Sequence, residues 1–407
     1  MRRGFRVTHN LPDGWRKRYI TDITGINKHT IDKSFTHNKI EYIDISSVKE
    51  GKLNGKTQYV LSEAPSRAKR IVKHDDVIIS TVRPNLRAFY YFDNPIDNLI
   101  VSTGFTVLSP SNTLCGKYLY YNVINKEFTR YLTSLAKGAS YPAVDSKIIG
   151  NWQIPLPPLD IQKKIACVLD KADTLRELRK QANDKLDDFL QAVFLDMFGD
   201  PVTNPKAIAK TELCQVTDIQ RGRFSPRPRN DPQYYGGNIP FIQTGNIANS
   251  STYITSHHQT LNKKGLKVSK LFKAGTIALT IAAIIGETGI LSYDMCFPDS
   301  IVGINPTSDK ITIEFLEYQL RFFKSILYQT ATETAQKNIN LQYLRPLKVI
   351  LPPLKLQNDF SRIVEQIEKQ KEKNRIATLK LDDLFQSLLQ KAFKGELAFN
   401  EDSFKEL

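Results

Sequence analysis

The segment Leu156-Pro157-Pro158-Leu159-Asp160-Ile161-Gln162 returns 195 residues later as Leu351-Pro352-Pro353-Leu354-Lys355-Leu356-Gln357. At the same offset Leu186-Asp187-Asp188-Phe189-Leu190-Gln191 returns as Leu381-Asp382-Asp383-Leu384-Phe385-Gln386, and Phe198 as Phe393. Separate motifs that keep one offset without a gap mark a duplication. Its period is far longer than a solenoid repeat. Whatever this chain folds into is built twice.

Between each Pro-Pro pair and its phenylalanine the apolar residues recur every three and four positions, as in a coiled-coil seam. The first seam reads Ile165, Val168, Ala172, Leu175, Arg179, Ala182, Leu186, Phe189 and Val193; the second reads Phe360, Ile363, Ile367, Gln370, Asn374, Ala377, Leu381, Leu384 and Leu388. The residue before a proline is held extended, so neither helix extends backwards through its prolines. Gly199 and Gly395 are placed to stop them. Each helix is then about 38 residues, or about 57 Å at 1.5 Å per residue. Packing of the two helices on each other, antiparallel about a pseudo-twofold axis, brings Arg179 and Asn374 together near the crossing point. Buried polar groups at such positions fix register at some cost in stability. The alternative is that each helix packs on its own domain and both polar residues face solvent.

Residues 1–155 and 201–350 read as two similar mixed α+β domains, with spacer helices at 156–200 and within 351–407. Short β-branched runs broken by Gly, Pro and Asn are strand-like, and residues 115–135 and 313–329 have helical spacing. Asp22-Ile23 pairs with Asp218-Ile219, Tyr42-Ile43-Asp44-Ile45 with Phe241-Ile242-Gln243-Thr244, and Asp76–Thr81 with Gly275–Thr280. The net charge of +15 lies entirely in these two blocks. Residues 1–150 carry 23 Lys/Arg against 13 Asp/Glu, and residues 201–350 carry 17 against 10. Two basic blocks in one chain suit a polyanion such as DNA or RNA. A transmembrane helix is not expected, since no run of 18 apolar residues occurs. The N-terminus lacks the apolar core of a signal peptide, and four scattered cysteines fit reduced thiols in a cytoplasmic protein.

No catalytic constellation emerges. Gly51-Lys52-Leu53-Asn54-Gly55-Lys56-Thr57 has three residues between its glycines where a phosphate-binding loop needs four, and no good strand precedes it. His257-His258 are adjacent and cannot face one metal from a strand. The Pro-Pro pairs lack the polar and aromatic neighbours that an adenine methyltransferase motif needs. No metal or cofactor site is therefore expected in this chain. Candidate DNA-contacting groups are Arg83, Asn85 and Arg87; Lys137, Ser140 and Tyr141; Arg221, Arg223 and Arg227 in a proline-stiffened loop; Gln243 and Asn246; and Gln336, Lys337 and Asn338. Arginine suits phosphate or guanine, and Asn or Gln suits adenine. The alternative for each of these loops is a solvated structural loop.

The doubled Leu-Pro-Pro-Leu entry with its glutamine, the Leu-Asp-Asp runs, Phe194-Leu195-Asp196-Met197-Phe198-Gly199-Asp200-Pro201, and Gly14-Trp15 ahead of Asp22-Ile23 resemble the specificity subunits of type I restriction–modification systems. The second domain departs from that pattern, with Thr211-Glu212-Leu213 where a Gly-Trp opening is expected. The resemblance implies two target recognition domains, each reading half of a split double-stranded DNA sequence. The helices would set the unread spacer and dock two adenine-N6 methyltransferase (modification) subunits. S-adenosylmethionine and ATP would act on partner subunits, including restriction (motor-nuclease) subunits. Alternatives are the specificity subunit of a related system with a fused methyltransferase-nuclease partner, a self-contained modification enzyme, and a coiled-coil adaptor without a DNA role.

Overall fold

A helix begins directly after each Pro-Pro pair. The computed structural model, which describes residues 11–332 and 338–399, has helices of 40 and 41 residues at Leu159–Phe198 and Leu354–Lys394. Gly199 (φ 73°) and Gly395 (φ 75°) follow them in the left-handed region, which glycine enters without steric cost.

The glutamine of each motif has a structural task. Gln162 is fully buried: its Oε1 accepts from Cys115 N (2.9 Å), and its Nε2 donates to Thr113 O (3.0 Å) and Pro157 O (2.8 Å). Gln357 repeats this with Thr312 N (2.9 Å), Lys310 O (2.9 Å) and Pro352 O (2.8 Å). Each glutamine thus ties the start of a long helix to the loop that precedes a short helix, Gly116–Val123 or Ile313–Phe322. No water is needed to satisfy those buried backbone groups.

The chain forms two compact units, residues 1–178 with 378–407 and residues 179–377. It passes between them inside the long helices, so each unit takes part of both. In unit 1 Arg176 Nε donates to Asp382 Oδ1 (2.6 Å), and Ile165, Leu169 and Ala172 share a core with Phe385, Leu389 and Ala392. In unit 2 Arg179 meets Asn374, while Phe194 and Phe198 pack edge-to-face against Phe360 at ring distances of 5.3 and 5.8 Å. Within each unit the helix segments therefore run antiparallel.

The seam differs from the expected one by one residue in half of its positions. Ile165, Arg179 and Leu186 lie on it, as do Phe360, Ile367, Asn374 and Leu381; they are buried or half-buried. The alternate positions are Leu169, Arg176, Asn183 and Leu190, and Val364, Lys371, Thr378 and Phe385, each one residue beyond Val168, Leu175, Ala182, Phe189, Ile363, Gln370, Ala377 and Leu384. Leu175, Phe189 and Leu384 are instead 53, 51 and 49% exposed. The cause is physical: the true alternate row is polar at Arg176, Asn183, Lys371 and Thr378, so the apolar residues beside it imitate a seam. Polar residues of both rows bond to one another. In unit 2 Arg179 Nη1 donates to Asn374 Oδ1 (3.0 Å), and Asn374 Nδ2 donates to Asn183 Oδ1 (2.8 Å). In unit 1 the Arg176 guanidinium lies 4.6 Å over the Phe385 ring.

Both units carry one sheet plan. Unit 1 orders Thr24–Ile26, Phe105–Pro110, Val77–Ser80 and Phe89–Tyr91 in one sheet, and Thr57–Val60, Lys39–Ile43, Leu99–Ser102 and Ala68–Ile71 in another. Unit 2 orders Thr217–Arg221, Ile301–Pro306, Ile277–Thr280 and Thr288–Leu291, extended by Tyr253–Ile254, and Gln259–Leu261, Tyr235–Phe241, Met295–Cys296 and Leu271–Phe272. A two-stranded ribbon closes each unit: Arg16–Tyr19 with Gln153–Leu156, and Lys210–Glu212 with Lys348–Ile350.

This plan corrects three sequence matches. Thr24 and Thr217 each donate a hydroxyl to the carbonyl four residues back, Ile20 O (2.8 Å) and Leu213 O (2.6 Å), so the counterpart of Asp218-Ile219 is Gly25-Ile26 and not Asp22-Ile23. Ser80 pairs with Phe105 and Thr280 with Ile301, placing Asp76 opposite Thr276 and not Gly275. A one-residue slip exchanges the faces of a strand, so this shift matters. The opening of unit 2 is Pro205–Ile208: a Cβ on Gly395 would approach Pro12 Cγ, and one on Gly199 would approach Pro205 Cγ. Ala207 (φ 51°) therefore stands where Gly14 (φ 82°) does, and Ile208 where Trp15 does. An alanine held left-handed costs about 1 kcal/mol. Ala207→Gly should raise the thermal midpoint by about 2–4 °C, at about 2–4 °C per kcal/mol for a unit of this size; calorimetry checks it, and a fall would show that Ala207 is not strained.

Candidate nucleic-acid interface

In unit 1 the chain leaves strand Val77–Ser80 and turns at Arg83 (φ 48°) into the short 3₁₀ turn Pro84–Leu86. Bridges Val82–Ala143 and Lys137–Ala143 bring a second loop alongside. Arg83 Nη2 donates to Ser140 O (3.3 Å), and its guanidinium lies 4.6 Å over the Tyr141 ring. Arg83, Lys137, Ser140 and Tyr141 therefore share one exposed surface, with Asn85 exposed beside them and Tyr141 69% exposed. Arg87 turns inward: its Nη2 donates to Ile124 O (2.5 Å), capping helix Gly116–Val123. That contact makes it a structural residue. The glycine-rich segment is no phosphate loop, because Gly51 (φ 82°) sits at the tip of the tight hairpin Val48–Lys49/Lys52–Leu53, and Lys52 pairs with Glu177.

Unit 2 repeats the arrangement. Ala283 (φ 64°) occupies the place of Arg83, and the bridge Ala282–Asn338 that of Val82–Ala143. Ile339 N donates to Ile281 O (3.0 Å) as Val144 N does to Thr81 O (2.9 Å). Gln336 and Lys337, expected in this loop, lie outside the described residues. Beside Asn338 opens a cleft of about 790 Å³, lined among others by Arg221, Arg229, Gln243, His258, Gln259 and Asp299.

The cleft sorts the arginine loop. Arg221 Nε donates to Asp299 O (2.7 Å) and Arg229 Nη2 to Asp299 Oδ1 (2.6 Å), both at the cleft. Arg223 leaves it, donating to Ser269 O (2.7 Å); Arg227 Nη1 donates to Pro226 O (2.8 Å) within the loop, with its Nη2 3.8 Å from Asp299 Oδ2. Gln243 Nε2 donates to Gln259 Oε1 (2.7 Å). Asn246 is a helix cap, its Oδ1 accepting from Gln243 N (2.9 Å) at the start of Thr244–Ala248. Burial pushes the Tyr235 phenol up against the opposing Arg229 charge, and its Oη donates to Arg229 O (2.6 Å). His257 Nδ1 lies 2.6 Å from Tyr293 Oη, while His258 lines the cleft. Arg229, Gln259, His258 and Asp299 are absent from the sequence-based candidates. Arg229 lies within the quoted basic run, whereas Gln259 reaches the site only because its strand pairs it with Phe241. No local signal announces that.

Among the described residues no helix is long and apolar enough to cross a membrane. An exposed surface of Arg, Lys, Tyr and Asn in unit 1 and a cleft of Arg, Gln and Asn in unit 2 carry donor types that suit base edges and phosphates. The type I restriction modification DNA specificity domain model matches residues 12–188 and again 205–381. The chain is 23% identical to the HindI specificity subunit of Haemophilus influenzae, across 89% of this chain and 92% of that one. It is 25% identical to the EcoKI specificity subunit of Escherichia coli, across 72% and 68%. A solved chain described under complex assembly and conformational transition of the type I R-M system aligns with TM-score 0.60 and 25% identity, covering 96% of this chain and 100% of that one. The S subunit of M. genitalium, 14% identical with TM-score 0.55 and covering 98% and 99%, shares the fold. With both halves matched, the chain belongs to the type I restriction–modification DNA specificity family.

Proposed function

We propose that each unit reads one half of a bipartite double-stranded DNA target, and that the helices set the spacer between the halves. The chain is a DNA sequence-recognition subunit. The observation that carries the finer reading is the recurrence of one loop pair, at Arg83 with Ala143 and at Ala283 with Asn338, in two units of the same sheet plan. A fold that presents the same surface twice suits a target read in two parts.

Methyl transfer and cleavage belong, on this reading, to partner subunits: adenine-N6 methyltransferase subunits using S-adenosylmethionine, and ATP-driven restriction subunits. This chain contributes no catalytic group. Apolar side chains left outside the seam offer area for such partners: Leu175, Leu178, Leu379 and Leu384 in unit 1, and Phe189, Leu195 and Ile376 in unit 2, are each at least 36% exposed.

The experiment is a comparison of two variants in cells carrying the partner genes, read by sequencing methylated adenines. Arg83→Ala with Asn85→Ala should relax one half of the methylated motif, and Arg221→Ala with Arg229→Ala the other. Each lost bidentate base contact costs about 1–3 kcal/mol, or about 5–150-fold in discrimination. Equal loss across both halves in both variants would make these side chains general phosphate anchors.

A further inference from the structure

A cleft lined by arginines alone would grip any phosphate. This one holds a carboxylate. Asp299 gathers three guanidinium groups of one loop: Arg229 at 2.6 Å from Oδ1, Arg227 at 3.8 Å from Oδ2, and Arg221 at 2.7 Å from the main-chain oxygen. The side chain is 42% exposed, so its charge faces whatever enters.

Asp299 is also held in place. Arg221 pairs with Val302 across the sheet, Gly222 N donates to Ile301 O (2.9 Å), and Arg223 N donates to Phe297 O (3.1 Å). A Cβ on Gly222 would meet Pro298 O at 2.3 Å, so only glycine allows the loop to lie this close to the turn carrying Asp299. Carboxylate and arginine loop are thereby fixed to each other through backbone.

We infer that Asp299 is a specificity-determining positioning residue. It holds Arg229 with its remaining donors directed into the cleft for a guanine edge, and its charge repels DNA phosphates from the same arginines. A guanine edge offers two acceptors matched to the guanidinium fork, whereas a phosphate oxygen must also approach the carboxylate. The inference rests on the reading of unit 2 as a base-reading unit.

The test uses the full chain assembled with its modification subunits. Asp299→Asn keeps the size and removes the charge. Binding to a target duplex, and to one with the half-site read by unit 2 scrambled, is measured across a salt series, and methylated motifs are sequenced. The expected result is about tenfold lower discrimination at that half-site, within the range of one base contact. Binding to the scrambled duplex should tighten, and its log–log salt slope should steepen by about 0.9, as for one added phosphate contact. The other half-site should be unchanged. Asp299→Glu, which keeps the charge, should retain most of the discrimination, and Arg229→Lys should lose target affinity without gaining elsewhere.

If Asp299→Asn weakened target and scrambled duplexes alike, Asp299 would be a structural support and the inference would fall. An unchanged ratio with an unchanged salt slope would also overturn it. If Arg221→Ala with Arg229→Ala left the methylated motif untouched, the reading of unit 2 itself would fail, and that result separates the two failures.

Discussion

Gln357→Leu is expected to lower the thermal midpoint by about 10 °C. Leucine fills the same space but returns none of the three hydrogen bonds to Thr312 N, Lys310 O and Pro352 O. A buried donor or acceptor stranded in this way costs about 1–3 kcal/mol. One stranded N–H and two weakened carbonyls come to about 3–4 kcal/mol, at about 2–4 °C each for a unit of this size. The mirror substitution Gln162→Leu should act alike through Cys115 N, Thr113 O and Pro157 O. Hydrogen exchange gives the local readout: the Thr312 amide should lose protection in the first variant and the Cys115 amide in the second. A midpoint shift below about 2 °C would mean that water satisfies these groups after the substitution.

That glutamine also shows what was legible in the sequence. Its recurrence at a fixed offset made the duplication visible, but its purpose was not: Gln162 acts on Thr113 and Cys115, far away along the chain. The helices, their proline starts and their glycine stops could be read because those signals are local. The phase of the seam could not. Arg176 and Lys371 sit on it by virtue of partners on the other helix, Asp382 and Asp187, and nothing near either residue advertises those pairs. Similarly, Ala207 hid the opening of unit 2, because an alanine in a left-handed turn carries no glycine signature. The binding loops divide the same way. Arg221 was identifiable from its basic run and Asn338 from its position before the second Pro-Pro pair. The inward turn of Arg87 and the capping role of Asn246 depend on groups that only the fold brings near. Gln259 enters the cleft through strand pairing, and Asp299 on a turn tied by backbone bonds to the arginine loop; neither leaves a local trace.

Lengthening both helices should lengthen the DNA spacer. The seam repeats every seven residues, as Gln162, Leu169, Arg176, Asn183 and Leu190 in one helix and Gln357, Val364, Lys371, Thr378 and Phe385 in the other. One inserted heptad in each, near Arg179 and Asn374, therefore keeps every seam residue in phase. The chain crosses between the two units only inside these helices, so the insertion leaves the recognition loops untouched and the half-site sequences should not change. Seven residues add about 10 Å of helix, which matches about three base pairs at about 3.4 Å each. Three base pairs also turn one half-site by about 100° around the duplex, at about 10.5 base pairs per turn. Some twist of protein or DNA must absorb that rotation, so methylation should be weaker and the added spacer about two to three base pairs. An insertion of four residues breaks the seven-residue phase and should abolish methylation rather than shift the spacer. Sequencing of methylated adenines reads both outcomes. An active heptad variant that kept the parental spacer would show that the distance is measured by something other than the helices.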